Sequence, residues 1–317
     1  MSTLQRLLES GHRPVVTAEM PAIDGGGLES VRTKLEAIAP YVDAVNATDN
    51  PAAHAHASNV AIAIAVKQLG AEPIMQIVCR DKNRLAIQAD IAGAALFGVE
   101  NICALTGDDV TAGDEPETRR VFDLDGPQLI RVATGMSEGH FLSGRAIDPA
   151  PTLFVGAVEN PFAPPLEHRI DRALKKSENG ARFLQLQIGY HPDRLERFVS
   201  GCVANETTAR TALLPTICLT RTARALSFMD TNVPGISVPS ATLSRVSDAS
   251  DPAEASYQLA LEQAQHALAL PGVAGIHVAD FRHDGSLRRL IEELGVFGAS
   301  DSSPEQEHHA HGSQLAG

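Results

Sequence analysis

The chain reads as an α/β protein folded as a (β/α)8 TIM barrel in a single domain. Short apolar runs rich in β-branched residues alternate with longer stretches of helical period, which is the pattern of βα units and a parallel sheet. Eight such runs occur, with helical stretches between them, and 317 residues is the right length for eight units. The rival, a doubly wound open sheet, requires a Gly-x-Gly-x-x-Gly turn after the first strand. Gly25-Gly26-Gly27 is not that fingerprint.

Taken in order, the first strand is "VVTAEM" (15–20), which ends on Glu19 and is followed by Pro21 and the three glycines. Helix "LESVRTKLEAIAP" leads to strand "DAVNAT" (43–48), whose end carries Asn46, Thr48 and Asp49. Helix "ASNVAIAIAVKQLG" closes on a glycine, as helix C-termini tend to, and strand "PIMQIVC" (73–79) brings Gln76. After "NRLAIQADIAGAALFG" comes "NICALTG" (101–107), running into Asp108 and Asp109. The fifth strand, "TLFVGAV" (152–158), precedes Glu159, Asn160 and the helix "PLEHRIDRALKKSENG". The remaining strands are "FLQLQIG" (183–189), "ALLPTIC" (212–218) and "GIHVADF" (275–281), the last carrying His277 and Asp280 and followed by Arg282. The barrel domain is expected over 1–298. Residues 299–317 are polar and aperiodic, the composition of a disordered tail.

Composition limits the partners. With 26 Lys+Arg against 39 Asp+Glu the formal charge is −13, which disfavours nucleic acid and anionic membranes as non-specific partners. Small molecules are the expected ligands, and the composition leaves a homo-oligomer open. Cys79, Cys103, Cys202 and Cys218 show no CxxC spacing, so neither a disulfide framework nor a zinc knuckle is read. The N-terminus lacks the apolar region of a signal peptide and no run is long enough to span a membrane. A soluble, cytoplasmic protein is expected.

In a (β/α)8 barrel the polar residues at strand ends converge on one mouth, where this fold builds its active sites. Glu19 is the first candidate. A lone carboxylate at a strand end ordinarily points into solvent, but a carboxyl held in a partly apolar mouth has a raised pKa and can act as a general acid. Asp108, in a Gly-Asp turn, is an acceptor suited to the N–H groups of an aminopyrimidine. Gln185 and Gln187 share a strand face, and both amides are expected to look into the barrel. Lys175 and Lys176 sit at a helix C-terminus, where the dipole favours cations; the alternative is contact with a cofactor's phosphate or carboxylate. His54 and His56 are two apart, which on a helix points them to different sides, and no metal is assigned to them. His308, His309 and His311 are better explained by a flexible tail.

These pieces resemble the methylenetetrahydrofolate reductase family, (β/α)8 barrels of one-carbon metabolism. The matching segments are "TAEMP" around Glu19, "VNATDNP" (45–51), the run from 76 to 109, "VFDLDGPQL" (121–129), "VENPF" (158–162), "KKSENGARFLQLQ" (175–187) and "GIHVADF". The resemblance covers about 15–295. It implies conversion of 5,10-methylenetetrahydrofolate to 5-methyltetrahydrofolate by hydride from NADH or NADPH, usually through bound FAD. Glu19 then matches the general acid, and Asp108, Gln187, Gln185 and Arg282 form the substrate group. Thr48, Gln76, Thr106, Gly107, Asn160, Arg172 and Lys176 stand at the cofactor's positions. Several differ from flavin-dependent relatives. Gln76 replaces a histidine, Thr106 replaces the arginine of an Arg-Gly-Asp, and Arg169 and Arg172 replace an Asp and an Asn. The loop after the first strand is glycine-rich where relatives have a double proline. The departures resemble the flavin-independent, mycobacterial-type branch, in which hydride passes directly to folate. Two other readings stay open: a non-catalytic folate-binding barrel in a methyl-transfer complex, and a metal-dependent lyase on the same fold.

Overall fold

The computed structural model describes residues 1–233 and 235–297, so the expected tail at 299–317 lies outside the described residues. A short helix, α1 (Thr3–Ser10), precedes the first strand. The strands are β1 (Val15–Glu19), β2 (Ala44–Ala47), β3 (Pro73–Val78), β4 (Asn101–Leu105), β5 (Phe154–Glu159), β6 (Phe183–Leu186), β7 (Ala212–Leu219) and β8 (Gly275–Asp280). Helices α2 (Gly27–Glu36), α3 (Asn59–Gln68), α4 (Arg84–Ala95), α5 (Gly126–Ser137), α6 (Leu166–Glu178) and α7 (Pro192–Ala204) fill the first six crossovers. The seventh holds three, α8 (Ala223–Asn232), α9 (Ser240–Ser247) and α10 (Pro252–Ala269), and α11 (Ser286–Leu294) follows β8. Each strand pairs in parallel with the next and β8 returns to β1, so the sheet closes. Closure gives the (β/α)8 barrel and removes the doubly wound alternative, whose open sheet would keep two edges.

The helices start where their sequences provide caps. Asn83 accepts from the Leu85 and Ala86 amides at the head of α4, and Asp125 and Gln128 cap each other's backbone at the head of α5. All strands but β7 are shorter than expected, two of them for identifiable reasons. The fourth stops at Leu105 because Gly107 turns to φ +98, outside the strand region. The sixth makes one more ladder bond, Gln187 N to Glu159 O, and then peels away where the Phe162 ring lies against Gly189.

Alternation of side chains sorts the core into two layers. Outward residues such as Val16, Val45, Met75, Ile102, Val155, Leu184 and Ile276 pack under the helices. Inward, Val15, Ala44, Ile74, Cys103, Phe154, Phe183 and Leu214 form one apolar layer near the N-terminal ends, and Leu4 of α1 plugs it from below. One strand repeat further up, the inward positions become polar. Phe183 fits only because its neighbour across the ladder is Gly156, where a Cβ would come within 2.3 Å of the ring. Gly156→Ala is therefore expected to overpack the barrel and cost about 1–3 kcal/mol, read as a lower denaturant midpoint; an unchanged midpoint would refute this account of the Phe183 packing.

Candidate active site

The upper polar layer lies between the apolar plug and the C-terminal mouth. Thr17 of β1 and His277 of β8 are register partners, and the Thr17 hydroxyl is 2.8 Å from His277 Nδ1. Gln185 of β6 reaches across the barrel to Asn46 of β2 in a reciprocal amide pair, 2.8 and 3.0 Å. Its amide nitrogen also stands 3.3 Å from His277 Nδ1. All four side chains are buried, and they partner one another except at His277 Nε2.

Glu19 ends β1 just above this layer. Its side chain is 36% exposed, and its Oε1 lies 3.8 Å from His277 Nε2. No lysine or arginine is within ion-pair distance of it among the described residues. The carboxyl thus has one side toward the buried network and one toward the open mouth. A proton donor for a ligand seated in the mouth needs such a placement.

Asp108 follows β4, three strands around the barrel from Glu19. It is exposed, and its carboxylate makes no hydrogen bond or ion pair among the described residues. Its backbone is fixed from below. Arg80, buried just after β3, donates to the Asp108 carbonyl at 3.1 Å and the Asn50 carbonyl at 3.3 Å, and pairs with Asp81 at 2.6 Å. Gly107 makes this approach feasible, since a Cβ there would fall 2.4 Å from Val78 Cγ1 and 3.0 Å from Arg80 Cβ. Beside it, buried Asp49 accepts from Lys82 Nζ at 2.9 Å and from the Val78 amide at 3.0 Å. Burial pushes the Asp49 carboxyl above its usual range, with Lys82 opposing.

The other expected site residues divide. Thr48 is half-buried at the end of β2, Thr106 is exposed, and Gln76 is buried with its carbonyl accepting from Asn59. Lys176 does not stand free for a cofactor's phosphate. Its side chain is 5% exposed, and its ammonium bonds Glu159 Oε2 and the Val158 carbonyl, each at 2.5 Å. Burial draws that ammonium below the usual lysine range, against the pull of Glu159. Arg172 and Arg169 approach the same carboxylate at 3.5 and 3.6 Å. Three cations of α6 therefore share one buried anion, which the helix-end reading of Lys176 did not foresee. Asn160 bonds the Gly235 carbonyl and the Phe162 amide.

Two expected orientations need correction. Gln187 has the parity of Gln185, but β6 ends before it. Its amide oxygen accepts from the Ile188 amide, and it lines a small cavity of about 30 Å³ with Phe162, Leu195, Pro215 and His266. Phe162 and Leu195 belong to the core under the helices, so Gln187 is not grouped with the interior amides. Arg282, 8% exposed, gives its guanidinium to the Thr220 and Ala253 carbonyls and to Asp284. It braces the β8 loop against α10.

Sequence reasoning passed over Arg80 and assigned no role to His277. The available signals were "CRDK" directly after an apolar strand, and a histidine at inward parity in "GIHVADF". His56 pairs with Asp24 of the glycine loop at 2.5 Å, and its ring stacks on His54 at 6.5 Å. Among the described residues no three His, Cys, Asp or Glu side chains stand together as metal ligands, and no helix is long and apolar enough to cross a membrane. A hollow of about 430 Å³ lies at the opposite, N-terminal end of the barrel; its charges are already paired, Lys67 with Glu72 and Asp43 with Arg13.

Comparison with known proteins gives the family and the fold. The sequence profile of the family described as "Methylenetetrahydrofolate reductase" matches residues 27–295, a segment that begins after Glu19. No match is found among curated protein sequences. Among solved structures, an uncharacterized protein from Clostridium thermocellum that binds two copies of 5-methyl-5,6,7,8-tetrahydrofolic acid superposes with a TM-score of 0.63 at 13% identity, over 92% of this chain and 99% of that one. DmoA from Hyphomicrobium sulfonivorans superposes with a TM-score of 0.54 at 10% identity, over 88% and 86% of the two chains.

The α6 cluster makes a stability prediction. Glu159→Gln leaves Lys176 buried without its counter-ion, and a loss of about 3–5 kcal/mol is expected, measured by chemical denaturation. Adding Lys176→Met should recover most of it. A single variant as stable as the parent would contradict the pairing.

Proposed function

Because the chain belongs to the methylenetetrahydrofolate reductase family, we propose that it reduces 5,10-methylenetetrahydrofolate to 5-methyltetrahydrofolate with hydride from NADH or NADPH. The observation that carries this reading is the half-exposed Glu19 carboxyl at the mouth, with no lysine or arginine paired to it among the described residues. The imidazolidine bridge opens when N10 receives a proton, and Glu19 supplies it. The resulting 5-iminium carbon takes hydride from C4 of the nicotinamide, giving the 5-methyl group and NAD(P)+. Glu19 then regains a proton from solvent through the open mouth. Asp108, unpaired on a loop fixed by Arg80, accepts the N–H groups of the pterin. The reduced folate bound by the Clostridium thermocellum barrel accords with this ligand class.

We also propose that hydride passes directly from the dinucleotide, so that the protein's contribution is mainly positioning plus the proton. Two positions that the resemblance assigns to FAD support this. Lys176 is spent on Glu159 and Val158, and the Asn160 amide is spent on Gly235 and Phe162. These residues do not fit a flavin tail.

Two measurements test the reading. Glu19→Gln should fold as the parent does and lose at least about a hundredfold in turnover, since an amide cannot donate that proton; near-parental turnover would refute the assignment. Separately, the purified protein should be colourless and should oxidise NADH or NADPH in the presence of methylenetetrahydrofolate with no added FAD. A stoichiometric yellow flavin required for turnover would overturn direct transfer while leaving the reductase reading intact.

A further inference from the structure

His277 is 3% exposed, and its Nε2 is a buried polar atom with no hydrogen-bond partner. Such an orphan is costly and needs a reason. The atom stands 3.8 Å from Oε1 of the half-exposed Glu19, a gap that rotation of the Glu19 side chain can close.

The other ring nitrogen decides which tautomer is present. His277 Nδ1 has two neighbours, the Thr17 hydroxyl at 2.8 Å and the Gln185 amide nitrogen at 3.3 Å. The amide nitrogen can only donate. Its orientation is set on the oxygen side, where the buried Cys103 thiol donates at 3.7 Å beside Asn46 Nδ2 at 2.8 Å. The Thr17 hydroxyl must also send its hydrogen somewhere. Its neighbours are that amide nitrogen, at 3.4 Å, and His277 Nδ1, and only Nδ1 accepts. Two donors therefore converge on Nδ1, so the ring proton sits on Nε2.

From this geometry we infer that His277 is the positioning residue of the proton donor: a neutral imidazole, locked with its proton on Nε2, that donates to the Glu19 carboxyl group and holds it in line while it gives up its proton. The function assigned to His277 rests on Glu19 being the acid, whereas the tautomer rests on the buried network alone. The network also explains why so much of the barrel interior is polar. Asn46, Gln185 and Thr17 form a relay of donors that fixes one ring nitrogen and so aims the other.

The tautomer is read by 15N NMR of histidine-labelled protein, with the His277 resonances identified by their loss in His277→Gln. The expected result near neutral pH is a bare Nδ1 and a protonated Nε2. A protonated Nδ1, or an imidazolium, overturns the inference. Thr17→Val removes one of the two donors and should let the opposite tautomer appear; an unchanged spectrum would show that Thr17 does not set it. In turnover, His277→Leu should lower kcat roughly tenfold to a hundredfold, the loss expected for one hydrogen bond to a charged group, with KM for the folate held within about twofold. His277→Gln, which can still present an N–H to Glu19, should recover part of that loss. Unchanged kcat in His277→Leu, or a loss confined to KM, overturns the role. If Glu19→Gln keeps its turnover, the acid assignment falls and the NMR result still stands or falls by itself.

Discussion

A closed parallel barrel forces every second side chain of eight strands into one narrow interior, with no edge through which an awkward group can escape to water. Everything in this protein follows from how that space is filled. At the N-terminal end the answer is apolar: Val15, Ile74, Phe154, Phe183 and Leu214 close on one another, and the absence of a side chain at Gly156 gives the Phe183 ring its place. One repeat higher the same geometry admits Thr17, Asn46, Gln185 and His277, which hydrogen-bond chiefly to one another. Their mutual hydrogen bonds are a condition of closure as well as a feature of the site.

Around the rim, charge is sorted between groups that brace the loops and groups left available. Arg80 is used up by Asp81 and by two carbonyls, Lys82 by Asp49, Lys176 by Glu159, and Arg282 by two carbonyls and Asp284. Burying each of these groups is tolerable only because a partner of opposite charge or a carbonyl accompanies it. Among the described residues, Glu19 and Asp108 have no lysine or arginine paired to their carboxylates. The net charge of −13 says nothing about this division. It is visible only where individual partners are known.

The parts of the fold legible in the sequence were those governed by local periodicity. The eight apolar runs became the eight strands, because β-branched runs of that length, buried on both faces, have few other uses. Their ends were less legible: Gly107 and Gly189 leave the ladder because of a positive φ and a packed ring, and neither depends on periodicity. Glu19 and Asp108 were singled out from their position at strand ends, and in the fold Glu19 ends β1 and Asp108 follows β4. Lys176 was misleading for a physical reason. At a helix end it resembles any dipole-favoured surface cation, and only the strand behind it reveals the Glu159 carboxylate. Gln187 shows the same limit, since parity carries no information beyond the last ladder bond. The family profile also begins after Glu19, so the residue with the clearest geometric case is the one that the profile leaves unaddressed.

The short helix before β1 has a bearing on kinetics. By setting Leu4 into the lowest layer, α1 turns the barrel from a tube into a vessel closed at its base. Whatever is admitted at the rim must depart by the rim, so entry and exit share one doorway.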